Sequence, residues 1–277
     1  MFLSAKQVYS IDMHWNEIKG AFSFFTSEEY KEIEIYEKST HGFVIDTFIK
    51  SMKILIPAIL IGFLGGILKG IFDFRTRTKK WNLAGKPATW LSLSIPDLFF
   101  IVVIQFFLIF LYNTEIIKEV HLIGDEYLQN YIYCTIFLSI YPFFYSARVT
   151  YITLESEMGF DYIRTAKSKG SSNNKIIFTH VLKNAMPVIF SHLDTVTLYV
   201  LSNLFIVELM TMFRGAAFYF FRFVAPPESF YVGHDPQIYL APALLYTICF
   251  SIIIFTSRFL SKVSAEMMTP HQKGEKG

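Results

Sequence analysis

Long apolar segments alternate with polar ones along this chain. The apolar segments occupy about residues 51–72, 90–111, 128–147, 188–207 and 238–259. Each is close to the roughly twenty residues that an α-helix needs to cross the hydrocarbon core of a bilayer. The pattern therefore predicts five transmembrane helices within a membrane domain at residues 51–262, followed by a polar tail at 263–277.

Residues 1–50 have a different character. They carry more acidic than basic side chains and contain no apolar run long enough to span a bilayer. They also lack the basic stretch followed by an apolar stretch that marks a cleaved signal peptide. We therefore expect an aqueous N-terminal segment.

Composition agrees with a membrane protein. Of the 277 residues, 53% are hydrophobic and 17% are charged, whereas soluble domains average about 25% charged. The net charge of +2 is too small to indicate a nucleic-acid binder. Cys134 and Cys249 both lie in apolar runs without a partner at metal-ligand spacing, so we expect them to pack in the interior and expect no metal site.

The distribution of charge among the loops predicts an orientation. Residues 73–89, residues 148–187 and the C-terminal tail are basic or mixed, whereas residues 1–50, 113–127 and 208–235 are acidic or nearly neutral. Because positive loops stay on the cytoplasmic side of a membrane, we expect the N-terminus outside and the C-terminus in the cytoplasm. Residues 208–235 are then an external segment, and residues 151–187 face the cytoplasm.

The polar segment between Asp161 and Pro187 has its own pattern. Residues 162–169 favour a short helix, and Gly170 stands where a helix stops in a left-handed conformation. Turn-forming residues follow at 171–174, and apolar side chains then recur at helical spacing up to Pro187. Two short helices joined by a tight turn are expected here. An ordinary solvated loop between two spans is the alternative.

The same segment carries a resemblance. The run DYIRTAKSKG that ends at Gly170, followed by HVLKNA from His180 and by Pro187, resembles the EAA loop of ABC importer permeases, in their dipeptide, oligopeptide and nickel branch. Fainter agreement extends over most of the chain from about Thr47. In that family the loop docks into a groove on a cytoplasmic ATPase. The resemblance implies that the docking residues are Asp161, Tyr162, Arg164, Thr165, Ala166, Lys169 and Gly170.

The resemblance implies a fold and a function as well. The expected fold is an all-α integral membrane protein with about five transmembrane helices, where the family usually has six, and a cytoplasmic coupling-helix loop. The expected function is that of a permease subunit for peptide import across the bacterial plasma (inner) membrane, without a cofactor of its own. Its expected partners are cytoplasmic ABC ATPase subunits, a second homologous permease and an extracytoplasmic solute-binding protein. A nickel or metal-chelate importer and a non-transporting membrane scaffold are alternatives.

The front of the chain departs from that family, whose members usually begin with a further transmembrane helix. A start at an internal methionine, unaided export of the acidic segment and a diverged architecture are the alternatives. Gly62, Gly66 and Gly70 form a small-residue stripe on the first span, which lets another helix approach closely. A helix from another subunit is one candidate for that place.

The chain lacks the motifs of an ATPase or a hydrolase. The nearest approach to a phosphate-binding loop, at Gly170–Lys175, has neither the second glycine nor the Ser or Thr after lysine. The motifs H-E-x-x-H and G-x-S-x-G are also missing. We therefore expect no enzymatic activity in this chain, so that ATP hydrolysis must come from a partner.

Polar residues within the spans are the remaining candidates. An ionisable group is costly in a bilayer and usually faces the bundle interior. Asp97, Gln105, His192 and Asp194 are therefore candidates for a translocation path, although satisfaction by neighbouring groups is the alternative. By the family resemblance, Glu208 stands at the outer end of the fourth span and would face the solute-binding protein. A re-entrant segment that closes the bundle is compatible with that position.

Overall fold

The computed structural model describes residues 34–35, 38–78, 84–225 and 240–269, together with Trp15 and Lys19. Two residues each of β1 (Glu34–Ile35) and β2 (Lys38–Ser39) form a short antiparallel ladder. The other regular structure in these ranges is helical. The helices are α1 (Thr40–Thr76), α2 (Lys86–Ser94), α3 (Asp97–Asn113), α4 (Leu128–Glu157), α5 (Asp161–Ser168), α6 (residues 173–191), α7 (Leu193–Met210), α8 (Ala216–Val224) and α9 (Leu240–Met268).

Helix α1 begins well before the expected start of the first span at residue 51. Ser39 caps it, since its hydroxyl accepts a hydrogen bond from the Gly42 amide at 3.3 Å. The helix contains Pro57 and then one π-helical turn at Ile61–Gly65. The last part of the expected aqueous segment is thus helical, while most of that segment lies outside the described residues.

The second expected span is broken into α2 and α3, which meet at an angle of 98°. Pro96 precedes α3, and Ile95 is extended with ψ of 130°. A proline disfavours helical geometry in the residue before it, so the break follows from the sequence. Helix α2 is tied to α1 by Asp73, which accepts a hydrogen bond from the Thr89 hydroxyl at 2.6 Å and is paired with Lys69.

The other expected spans also differ in their bounds. Helix α4 has 30 residues and is about 45 Å long at 1.5 Å per residue, so it continues to Glu157 beyond the expected end at residue 147. The expected span at 188–207 is divided by His192, which separates α6 from α7. Within the described ranges four helices, α1, α4, α7 and α9, are long and apolar enough to cross a membrane, and the bent α2–α3 pair would be a fifth.

The glycine stripe of α1 packs against α4 of the same chain. A Cβ added at Gly66 would lie 2.5 Å from the Phe143 carbonyl oxygen, and one at Gly70 would lie 2.5 Å from the Ala147 carbonyl oxygen. At Gly62 the nearest atom would be the Pro142 Cβ at 2.7 Å. The close approach expected of the stripe is therefore present. The idea that it receives a helix from another subunit is wrong, because α4 occupies that place.

Two apolar cores fill the bundle. One joins the first half of α1 to α7, α8 and α9 and includes the fully buried Leu204 and Tyr246; we call this end of the bundle the α8 end. Cys134 packs in this core, as expected. The other joins the second half of α1 to α4, α5 and α6 and includes Phe74 and Ile189; we call this the α5 end. Helix α4 runs through both.

Candidate coupling and translocation sites

Helix α5 is amphipathic, and one of its faces packs in the apolar core at the α5 end of the bundle. Ile163 and Ala166, three residues apart, are 1% and 9% exposed and pack in that core. The other face is open to solvent and presents Asp161, Arg164, Thr165 and Lys167. The helix is thus fixed to the bundle by its apolar face, while its polar face is accessible to another protein.

The turn after α5 has the hydrogen bonds of a Schellman motif. Gly170 adopts φ of +77°, its amide donates to the Lys167 carbonyl at 2.9 Å, and the Ser171 amide donates to the Ala166 carbonyl at 3.2 Å. A Cβ added at Gly170 would meet nothing within 4 Å. Glycine is therefore needed here for its backbone conformation, and the space around it is open.

Tyr162 fixes the start of α5. Its hydroxyl donates to Glu157 Oε2 at 2.5 Å, which joins α5 to the end of α4 across the short link of residues 158–160. Burial, and then this hydrogen bond, raise the pKa of Tyr162, so the hydroxyl remains a donor. The Arg164–Asp161 ion pair at 3.4 Å is almost fully exposed and contributes little to stability. Of the expected docking residues, Tyr162 and Ala166 hold the helix in place, while the others form its accessible surface.

Polar side chains of α3 and α7 meet at the start of α3. Asp97 is half-buried and accepts a hydrogen bond from Asn203 Nδ2 of α7 at 2.7 Å. In the part of the chain that the structure describes, no cation forms an ion pair with Asp97. A carboxylate in an apolar helix bundle is costly unless it is satisfied, and an amide partner compensates for only part of that cost.

A tyrosine face lies beside this pair, on α4 and α7. The rings of Tyr141 and Tyr199 are 4.8 Å apart, and those of Tyr145 and Tyr199 are 5.3 Å apart. The Tyr145 hydroxyl is 3.1 Å from His192 Nδ1, which brings the break between α6 and α7 into the same face. These tyrosines were not among the candidates from the sequence, although Tyr141 and Tyr145 are four residues apart in one span and so share a helix face.

The other two candidates differ in how they relate to this face. Asp194 accepts hydrogen bonds from the Thr195 amide at 2.6 Å and from the Thr195 hydroxyl at 3.3 Å, and Thr195 is in turn a hydrogen-bond partner of Tyr145. Gln105 of α3 is half-buried and makes no hydrogen bond with another described residue. In the described ranges, no three His, Cys, Asp or Glu side chains lie close enough together to hold a metal ion.

Glu208 is fully buried and links three elements. Its Oε1 accepts from the Ser51 hydroxyl of α1 at 2.5 Å, and its Oε2 accepts from the Phe218 amide in the first turn of α8 at 2.8 Å. The Ser51 hydroxyl in turn accepts from the Ala216 amide at 2.7 Å. Because a Glu208 carboxyl oxygen accepts a hydrogen bond from a first-turn amide that has no partner within the helix, Glu208 acts as a cap for α8. Its burial contradicts the expectation that it faces a binding protein directly.

A charge network closes the same end of the bundle. Asp125, in the loop before α4, pairs with Lys50 of α1 and with Arg214 at 2.7 Å, and Arg214 also reaches Glu126 at 3.1 Å. Burial acts to raise the pKa of Asp125, but the hydrogen bonds and charges of Lys50 and Arg214 bring it below its usual value. The Asp125 carboxylate therefore stays ionised and ties this loop to α1 and to the segment just before α8.

The relationship to known proteins follows from the comparison of sequences. The sequence model of the family described as "Binding-protein-dependent transport system inner membrane component" matches residues 54–268. The chain belongs to this family. It is 26% identical over 228 residues to the dipeptide transport system permease protein DppB of Bacillus subtilis (strain 168), covering 81% of this chain and 69% of that protein.

The fold is similar to that of a solved transporter. A chain from inward-facing conformations of the MetNI methionine ABC transporter aligns with a TM-score of 0.58 and 13% identity, over 83% of this chain and 98% of that one. The protein is accordingly a multi-pass permease subunit of an ABC importer, and ATP hydrolysis belongs to a separate subunit. The fold class and the family expected from the sequence are confirmed.

Proposed function

We propose that this permease imports peptides and that α5 is the element through which its ATPase drives transport. The geometry of α5 supports the coupling role. One face of this helix is buried in the core, the other face is exposed to solvent, and the turn that follows at Gly170 has open space around it. A partner that moves the exposed face must also move Ile163 and Ala166. The core that holds these two side chains also contains residues of α1, α4 and α6.

The peptide assignment is supported by the relative DppB, which is named for dipeptide transport. The polar groups of the Asp97 and tyrosine face fit such a solute, since a peptide offers an ammonium group and several amides. A carboxylate attracts the ammonium group, and tyrosine rings present both an apolar surface and hydroxyl groups. A second permease would complete the path opposite this face, and an extracytoplasmic binding protein would deliver the peptide.

The proposed orientation puts α5 and the C-terminus in the cytoplasm and the N-terminus outside the plasma membrane. The α5 end carries Arg75, Arg77 and Arg148, with Lys167 and Lys169 on and after α5. The α8 end carries the network in which Asp125 and Glu126 balance Lys50 and Arg214. This asymmetry agrees with the rule that positive charge stays on the cytoplasmic side.

The test of the coupling role is a pull-down of the tagged chain from its native membranes in mild detergent, comparing Gly170→Asp with the wild type. Aspartate tolerates the left-handed conformation better than most residues, and the space around Gly170 is open, so the bundle should remain intact. Gly124→Asp is the matched control. Gly124 also has positive φ, +98°, and open surroundings, but it lies in the loop before α4, at the α8 end.

The expected result is that an ATPase co-purifies with the wild type and with Gly124→Asp, and is lost with Gly170→Asp. Uptake of a labelled dipeptide should likewise be retained in the wild type and in Gly124→Asp and lost in Gly170→Asp. If Gly170→Asp retains the ATPase and full uptake, α5 is not the coupling element. If the protein takes up Ni²⁺ and unlabelled dipeptides do not inhibit that uptake, the peptide assignment is refuted. The coupling assignment would be unaffected by this result.

A further inference from the structure

Three cationic side chains surround one cavity at the α5 end of the bundle. Arg75 and Arg77 come from the last turn of α1 and the residue after it, and Lys167 comes from the last turn of α5. The cavity has a volume of about 360 Å³, and its floor is formed by apolar groups of Phe74, Met158 and Ile177. None of the described residues that line it is acidic.

The two guanidinium groups are held in place by aromatic rings. The Arg77 guanidinium carbon is 3.8 Å from the centroid of the Phe74 ring, which is itself only 2% exposed, and Arg75 lies 5.7 Å over the ring of Phe178. Stacking engages the face of a guanidinium and leaves its edge N–H groups directed outwards. Each of these cations therefore has an aromatic contact but no charged partner among the described residues.

Their charge is uncompensated within the structure. Among the residues that the structure describes, no Asp or Glu forms an ion pair with Arg75, Arg77 or Lys167. Like charges around one cavity repel each other, and an anion between them removes that repulsion. We infer that this cavity binds a phosphate group, whose tetrahedral oxygens match the forked donors of two arginines.

The surrounding surface favours the phosphate of an anionic lipid. Leu68, Phe72 and Arg75 lie on one face of α1 at spacings of four and three residues. Leu68 and Phe72 are 70% and 46% exposed, so an exposed apolar stripe leads directly to the Arg75 guanidinium. Acyl chains against the stripe would place a lipid headgroup at the cavity, as basic pockets at the cytoplasmic surface do for anionic lipids. A soluble phosphate anion shares the chemistry and is the other possible source.

This arrangement has a consequence for α5. Lys167 belongs to α5, whereas both arginines extend from α1, so a phosphate bound among the three would connect the two elements. The inference rests on the proposed function in one respect only, because it requires the α5 end to lie at the cytoplasmic surface. A bound lipid would then hold α5 at the membrane boundary.

Native mass spectrometry of the full chain, with whichever subunits co-purify, tests the inference. The probes are dioleoyl phosphatidylglycerol and dioleoyl phosphatidylcholine, which have the same acyl chains but differ in net charge. The test variant is Arg75→Gln/Arg77→Gln. The matched control is Arg258→Gln/Lys262→Gln, which removes two exposed cations from α9 outside the cavity.

We expect the wild type to bind phosphatidylglycerol in preference to phosphatidylcholine. The affinity for phosphatidylglycerol should fall about fivefold for each arginine removed, while the α9 control should keep the preference. Equal binding of the two lipids by the wild type, or equal losses in the two variants, would overturn the inference. Displacement of phosphatidylglycerol by inorganic phosphate would support the site but assign it to a soluble anion.

The same preparations separate this inference from the proposed function. An ATPase that co-purifies with the wild type and with both variants, without any lipid preference, refutes only the phosphate site. Lipid binding that depends on Arg75 and Arg77 in a preparation that never contains an ATPase supports the phosphate site and counts against the coupling role of α5.

Discussion

The contact between α1 and α4 predicts that Gly66→Ala destabilises this protein. The new methyl group would lie 2.5 Å from both the Phe143 carbonyl oxygen and the Ser146 Cβ, whereas ordinary contacts are at 3.4–4 Å. The carbonyl belongs to the backbone of α4, so no side-chain rotation relieves the clash. The two helices must move apart by about 1 Å, a distance that disturbs the packing of a close-packed interior.

The size of the effect follows from two opposing terms. Overpacking of this kind costs about 1–3 kcal/mol, while alanine is favoured over glycine within a helix by up to about 1 kcal/mol. We therefore expect a net loss of about 1–2 kcal/mol in the free energy of unfolding. At about 2–4 °C per kcal/mol for a chain near this length, the apparent melting temperature should fall by a few degrees.

Gly65→Ala is the control, because it makes the same chemical change one residue earlier. Gly65 also has helical backbone angles, but its added Cβ would meet only the ring of Phe143, at 3.1 Å. A side-chain ring can shift by a few tenths of an ångström at little cost, so this variant should match the wild type or slightly exceed it.

The assay is the thermal loss of the monodisperse peak in fluorescence-detected size-exclusion chromatography, for the wild type and both variants in one detergent. The expected order of midpoints is Gly65→Ala equal to or above the wild type, and Gly66→Ala below it. If Gly66→Ala and Gly65→Ala have the same midpoint, then α1 and α4 do not touch at Gly66 and the packing described above is incorrect.

Substitutions at two further residues, Glu208 and Asp125, test the α8 end in the same assay. Glu208→Ala leaves the buried Phe218 amide and Ser51 hydroxyl without their acceptor and should cost about 2 kcal/mol or more, whereas Glu208→Gln, which keeps an acceptor, should cost less; equal losses would contradict the capping role. Asp125→Asn should lower the midpoint at pH 7. Since the folded-state pKa of Asp125 is depressed, its stabilisation is present above its unfolded pKa of about 3.9 and is lost as the pH falls through the folded value. The difference from the wild type should therefore vanish in acid, and a difference that persists there would exclude the charge network as its cause.

The sequence predicts most reliably what depends on neighbouring residues. The helix stop at Gly170 is one such feature, because the need for a left-handed residue is set within a few positions of the chain. The close approach at Gly62, Gly66 and Gly70 is another. The break at Pro96 also depends on neighbouring residues, because a proline disfavours helical geometry in the residue before it. It was nevertheless missed, because the hydropathy pattern indicated one continuous span over residues 90–111.

Features that join distant parts of the chain could not be predicted in this way. Asp97 meets Asn203 across 106 positions, and Ser51 meets Glu208 across 157. In the sequence, each of these residues is an isolated polar group in an apolar run. The sequence therefore indicated that burying the group is costly, but it did not indicate which residue is its hydrogen-bond partner. The family resemblance located Glu208 at the end of a span, yet only the packing of α8 explains why its carboxylate faces inwards.

The role proposed for α5 depends on how directly α4 is connected to it. Residues 158–160 are all that separates the two helices, and the Tyr162–Glu157 hydrogen bond closes even that link. Helix α4 also meets α1 backbone to backbone at Gly66 and Gly70 and carries Tyr141 and Tyr145 of the tyrosine face. A displacement of α5 should therefore be transmitted through α4 to the tyrosine face with little loss. Under the proposed role, the ATPase attaches to the exposed surface of α5, so loosening the α1–α4 contact should weaken coupling more than it weakens attachment of the ATPase.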